Sequence, residues 1–186
     1  MAIGGNDNLV TVWDISTLDN PKLLFKMGHK AAVRALQYCP WSPALLATGG
    51  GAMDRRIRFW HTHSGTLLES IDVKEQVTSL NWSLHYGQIA ATFGFGSGEN
   101  MLFAAVYRFP KCNLIKQFPG HPDLRALSAV LSPDAGTIAV AANDETVKFY
   151  QLWQTAEVPK RHLIPILGST LLELEEGNDA FETTMR

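Results

Sequence analysis

Cysteine is scarce in this 186-residue sequence, with only Cys39 and Cys112. Two cysteines so far apart form neither a metal framework nor a disulfide scaffold. They suit a reducing compartment, so nucleus and cytoplasm are the expected location. No run of about 18 apolar residues occurs, which excludes a membrane-spanning helix. The opening residues Met1 to Asn8 have no basic region and no apolar core, so no secretory signal is expected. Charge of one sign is missing too. Sixteen Lys and Arg stand against eighteen Asp and Glu, a net charge of -2. That balance argues against a nucleic-acid glove and against a polybasic membrane surface. Neither a nucleic-acid nor a membrane partner is expected, and no cofactor. Residues 1–153 also lack any long helical pattern.

What the sequence has is a repeat. An aromatic residue recurs at Trp13, Trp60, Tyr107 and Tyr150, at spacings of 47, 47 and 43. An Asp stands six positions ahead of three of them, at Asp7, Asp54 and Asp144. The spacing is close to the roughly 40–45 residues of a four-stranded propeller blade. Each unit runs in the same order. A Gly-His or its remnant (Gly28-His29, Gly120-His121) precedes a short apolar run, a Pro or Ser turn, a second apolar run, a polar turn and the aromatic-bearing strand. Short strands separated by turn signals predict an all-β fold. The units fall at about 1–20, 21–66, 67–113 and 114–153. Residues 154–186 break the pattern and are expected to be a flexible tail, with a docking patch around Leu163 to Leu174.

His29, Thr48, Asp54 and Trp60 form the one complete Gly-His, Ser/Thr, Asp, Trp set of the kind found in WD-repeat blades. A carboxylate orienting an imidazole, an imidazole meeting a hydroxyl and a hydroxyl meeting an indole N–H leaves each buried polar group with a partner. The same residue types could build a nucleophile–His–Asp triad. Recurrence of the set with the blade period favours the structural role. Gly94-Phe95-Gly96-Ser97-Gly98 has the look of a phosphate loop, but such a loop should open a helix. A strand-like segment follows it, so a hairpin turn is expected. His61 and His63 lack a third metal ligand nearby. An enzyme is not expected.

These segments resemble the Fizzy/Fizzy-related family of WD-repeat activators of the anaphase-promoting complex (cyclosome). The resemblance is carried by Gly4 to Asn8, His29 to Ala35, Cys39-Pro40-Trp41, the triple glycine Gly49 to Gly51 ahead of Asp54-Arg55, Gln76 to Ser83, Ser132-Pro133-Asp134 and Asp144-Glu145-Thr146. Phe59 to Thr62, Gly65 to Leu68, Ala91 to Gly96 and Phe149 to Trp153 look most like its meiosis-specific branch in budding yeasts.

The resemblance implies a partial seven-bladed propeller: the end of one blade plus three more in residues 1–153. On that count the chain is expected to be the C-terminal portion of a longer protein. It also implies a non-enzymatic adaptor that presents degron-bearing substrate proteins to the ligase. Asn6, Asn8, Gln76 and Arg125 match the positions that bind a Lys-Glu-Asn degron. Without the family, Asn6 and Asn8 read as turn residues, since Asn tolerates the left-handed conformation. Ala52 stands where the family often has a contacting Thr. Glu145 matches the acid that pairs with the Arg of a destruction box. The family ends in Ile-Arg, which docks on tetratricopeptide-repeat subunits of the ligase. Here Met185-Arg186 stands in that place, with Met able to fill the same apolar pocket. The alternative is a WD-repeat scaffold for some other partner.

Overall fold

A computed structural model describes residues 1–96 and 101–154. The expected tail, its patch at Leu163 to Leu174, the docking pair Met185 and Arg186, and the loop residues Ser97 and Gly98 lie outside the described residues. Fourteen strands and no helix form among the described residues.

The strands make four antiparallel sheets, each in simple sequence order. The first holds β1 (Ala2–Gly4), β2 (Leu9–Asp14) and β3 (Lys22–Gly28). The second holds β4 (Val33–Cys39), β5 (Ser42–Gly50), β6 (Arg56–His61) and β7 (Thr66–Asp72). The third holds β8 (Glu75–Trp82), β9 (Gln88–Gly96), β10 (Leu102–Arg108) and β11 (Asn113–Pro119). The fourth holds β12 (Ala126–Leu131), β13 (Thr137–Ala142) and β14 (Val147–Gln151). This is the expected all-β partial propeller. Repeat and sheet are out of step: β3, early in the 21–66 repeat, closes the first sheet, and β7 and β11 stand in the same relation to the second and third.

The middle strands read as unbroken apolar runs because they are buried on both faces. On β5, Leu45 and Ala47 pack toward the third sheet, while Leu46 between them packs toward the first. On β9, Ile89, Ala91 and Phe93 face the second sheet and Ala90 faces the fourth. Three apolar cores therefore lie between four sheets. Contacts between neighbouring sheets concentrate on their inner strands, so that β4, β8 and β12 stand side by side.

The triple glycine is explained by close approach. A Cβ on Gly49 would lie 2.4 Å from Val77 Cγ1 of the neighbouring sheet. A Cβ on Gly50 would lie 2.0 Å from the Asp54 carboxylate. Neither position needs a left-handed backbone; each needs the absence of a side chain. The Cys-Pro-Trp turn has a similar cross-sheet reason. Trp41 Nε1 donates to the Ser83 carbonyl (3.2 Å) and Trp82 Nε1 donates back to the Gln37 carbonyl (3.1 Å). The two indoles meet edge-on with centroids 5.5 Å apart.

Asp54 is the centre of the buried polar network. His29 Nδ1 lies 2.6 Å from Asp54 Oδ2, and His29 Nε2 lies 2.7 Å from Thr48 Oγ1. Trp60 Nε1 donates to Thr48 Oγ1 at 2.8 Å. Arg58, which the sequence reading overlooked, grips the same carboxylate with both ends of its guanidinium, Nη2 at 2.9 Å from Oδ1. The Lys30 N–H donates to Oδ1 as well (3.1 Å). Burial pushes the Asp54 carboxyl up, but hydrogen bonds from Arg58 and His29 outweigh it and hold it down at about 2. Burial pushes the His29 imidazole down against the pull of Asp54. A neutral His29 carrying its proton on Nδ1 fits the chain of donors: indole to hydroxyl, hydroxyl to imidazole, imidazole to carboxylate. The His29 and Asp54 side chains have no exposed surface, and Thr48 is fully buried. A substrate has no path to the triad-like set.

Two predictions follow from this packing. Gly50→Ala drives a methyl group into the Asp54 carboxylate and should cost about 2–3 kcal/mol of unfolding free energy, the upper range of overpacking; urea denaturation reads it, and an unchanged midpoint refutes the close-approach account. For acid, the folded protein disfavours a proton on both groups. Unfolded His29 titrates near 6.5 and unfolded Asp54 near 3.8. Stability should therefore drop as pH falls below 6.5, and again from about 4 toward 2, the second step being worth about 2 kcal/mol. Equal urea midpoints at pH 7.5 and 5.5 would contradict a neutral buried His29.

Candidate functional site

The antiparallel order puts the turns β1–β2, β5–β6 and β13–β14, the end of β9 and the start of β10 at one end of the sheets. The starts of β4, β8 and β12 lie at the same end. Asn6, Asn8, Ala52, Gln76, Arg125 and Glu145 all fall on this face.

Asn6 and Asn8 sit in the β1–β2 turn. Asn6 is exposed and Asn8 half-buried. Asn8 is left-handed (φ 67°), as its turn role requires. Its carbonyl accepts the His29 N–H at 2.8 Å, and the Gly5 carbonyl accepts the Val33 N–H at 3.1 Å. The first bond extends the β2–β3 ladder and the second ties the turn to β4 of the second sheet, with Asn6 left exposed. The second sheet separates this turn from Gln76 and Arg125. In the β5–β6 turn, the Gly51 carbonyl accepts the N–H groups of Asp54 and Arg55, both at 2.9 Å.

Gln76 and Arg125 are joined through Phe95, to which the sequence assigned no binding role. Gln76 Oε1 accepts the Phe95 N–H (3.4 Å). The Arg125 guanidinium lies over the Phe95 ring, 4.0 Å from its centroid. Arg125 Nε is buried and has no hydrogen-bond partner among the described residues. The Arg125 backbone is held by Asn143, whose Oδ1 accepts the Arg125 N–H (2.6 Å) and whose Nδ2 donates to the Asp123 carbonyl (2.8 Å). The Asn143 N–H donates to the Arg125 carbonyl (3.1 Å). Next to Gln76, Glu75 is buried and accepts the Leu102 N–H at 2.6 Å, tying β10 to the head of β8. Burial pushes the Glu75 carboxyl up, against the pull of that N–H. Glu145 is exposed and left-handed (φ 64°) in the β13–β14 turn. Its neighbour Asp144 is spent on Thr146 and Lys148 and is held down at about 2.

This face offers amides, a guanidinium and an exposed ring. Such groups can donate hydrogen bonds to the acceptor groups of a polar ligand. No cluster of metal-ligating side chains occurs among the described residues. Both cysteines are free. His61 and His63 meet edge-on at 5.7 Å, with His61 Nδ1 2.8 Å from Ser64 Oγ.

The family described as "WD domain, G-beta repeat" matches residues 21–61 and 112–151. The chain is 50% identical over 186 residues to the meiosis-specific APC/C activator protein AMA1 of Saccharomyces cerevisiae, covering 99% of this chain and 31% of that protein. It is 38% identical over 180 residues to the anaphase-promoting complex subunit cdc20 of Dictyostelium discoideum, covering 96% of this chain and 34% of that one. A chain in a crystal structure of the mitotic checkpoint complex superposes with a TM-score of 0.72 at 40% identity, over 82% of this chain and 45% of that chain. The chain thus spans about a third of the length of these two relatives. Blade order, the buried His29–Asp54 network and these similarities agree: the chain carries WD40 repeats and is similar over nearly its whole length to activators and subunits of the anaphase-promoting complex.

Proposed function

We propose that this chain is the substrate-gripping portion of an activator of the anaphase-promoting complex ubiquitin ligase, acting in meiosis. Support comes from its 50% identity to a protein named as a meiosis-specific activator of that complex. The observation that carries the reading is that Asn6, Asn8, Gln76 and Arg125 lie at the same end of the sheets, with Gln76 and Arg125 meeting at Phe95. There they bind a Lys-Glu-Asn degron, with Glu145 taking the Arg of a destruction box. Met185-Arg186 docks on tetratricopeptide-repeat subunits of the ligase. Holding the substrate at the ligase raises its effective concentration at the site of ubiquitin transfer. The chain is an adaptor in nucleus and cytoplasm, and catalysis belongs to its partners.

Fluorescence anisotropy with a Lys-Glu-Asn peptide tests the face. Asn6→Ala and Arg125→Ala should each weaken binding by about tenfold, the loss of a charge-assisted or amide hydrogen bond. Wild-type affinity in both variants leaves a WD-repeat scaffold for another partner as the better reading. Deleting Met185-Arg186 should abolish capture by the ligase while leaving peptide affinity unchanged; capture that survives the deletion removes the docking role.

A further inference from the structure

The Gly94-Phe95-Gly96 segment lies where two binding candidates meet, yet no role in binding attaches to it so far. Gly94 has no side chain, and a Cβ there would lie 2.8 Å from Gln76 Oε1. That gap lets the Gln76 carboxamide lie flat against the segment, its oxygen engaged by the Phe95 N–H (3.4 Å). With the oxygen engaged, the Nε2 amide has no partner among the described residues and is available as a donor. The Phe95 ring itself is 53% exposed, unusual for phenylalanine on a strand otherwise buried. Its face carries the Arg125 guanidinium at 4.0 Å. Phe95 belongs to the third sheet and Arg125 to the loop ahead of the fourth, so the stacking reaches across the boundary between sheets.

We propose that Phe95 is a positioning residue for the ligand-binding face. Its N–H orients the Gln76 amide and its ring seats the Arg125 guanidinium, so that two donors point outward together toward acceptor groups of a bound peptide. This rests on the reading of Gln76 and Arg125 as peptide-binding residues. The physical logic is preorganisation. A free arginine side chain loses rotamer freedom when it binds, and a ring that already holds the guanidinium removes part of that cost. Stacking also leaves the guanidinium edge free for hydrogen bonds, since the ring uses only its face.

The test uses the full chain and a Lys-Glu-Asn peptide. Phe95→Leu keeps an apolar side chain of similar size but removes the π-face; it should weaken binding about three- to fivefold, in line with an exposed cation–π contact. Phe95→Trp keeps a face and should retain affinity. In an Arg125→Ala background, Phe95→Leu should cause no further loss, since it leaves the Phe95 N–H to Gln76 in place. Thermal midpoints should match, because the ring is half in solvent. By NMR, the Arg125 side-chain protons should be shifted upfield by the Phe95 ring current, and the shift should vanish in Phe95→Leu. Fully additive losses, or an unchanged affinity in Phe95→Leu, overturn the positioning role. If the wild-type chain does not bind the peptide, the peptide-binding reading fails, and the ring-current shift alone decides whether Phe95 seats Arg125; no shift overturns that too.

Discussion

The second and third sheets are apolar on both faces, and neither can bury itself. Leu45, Leu46 and Ala47 are consecutive and all buried, yet they point alternately to two different neighbours. A strand of this kind is stable only when sandwiched, so the second sheet depends on the first and the third, and the third on the second and the fourth. Burial of apolar area supplies the driving force. It also fixes which strand ends gather on one face, since sheets stacked through their inner strands must present their turns together.

Such packing leaves little room at the sheet boundaries. Gly49 marks such a point against Val77 of the next sheet, and Gly50 a second tight approach, to Asp54 within its own turn. The Asp54 carboxylate then needs compensation for being taken out of water. His29, the Lys30 N–H and a two-pronged Arg58 all supply it. The carboxylate stays ionised because its donors outweigh its burial. The imidazole stays neutral because burial disfavours a second charge beside Arg58. What looks like a catalytic triad is a closed circuit of satisfied groups, with Trp60 already using the hydroxyl that a nucleophile would need.

The functional face inherits its order from these same constraints. Asn8 is pinned through its carbonyl to His29, the residue that also meets Asp54. The turn carrying Asn6 is therefore coupled to the polar core of the next sheet. Arg125 is pinned twice, through its backbone by Asn143 and through its side chain by Phe95. Rigid support behind exposed polar groups is what a peptide-binding surface needs, because each side chain already ordered costs less to bind.

The repeat of aromatic residues, the turn signals and the four-residue set from His29 to Trp60 were legible in the sequence, because strand alternation and hydrogen-bond pairing act at fixed spacings along the chain. The all-β partial propeller follows from them. The candidacy of Asn6, Asn8, Gln76 and Arg125 came instead from family likeness alone. Other features left no local trace. Arg58 reads as one more charge on a strand until the fold puts it against Asp54. Phe95 reads as part of a glycine-rich hairpin until Arg125, 30 positions away, lies on its ring. The same holds for Glu75 and Asn143, whose partners Leu102 and Arg125 come from distant turns. Strands and their apolar faces can be read along the chain, since they depend on near neighbours. Which polar and aromatic side chains meet between sheets emerges from the folded stack alone, because those contacts depend on how separate sheets pack.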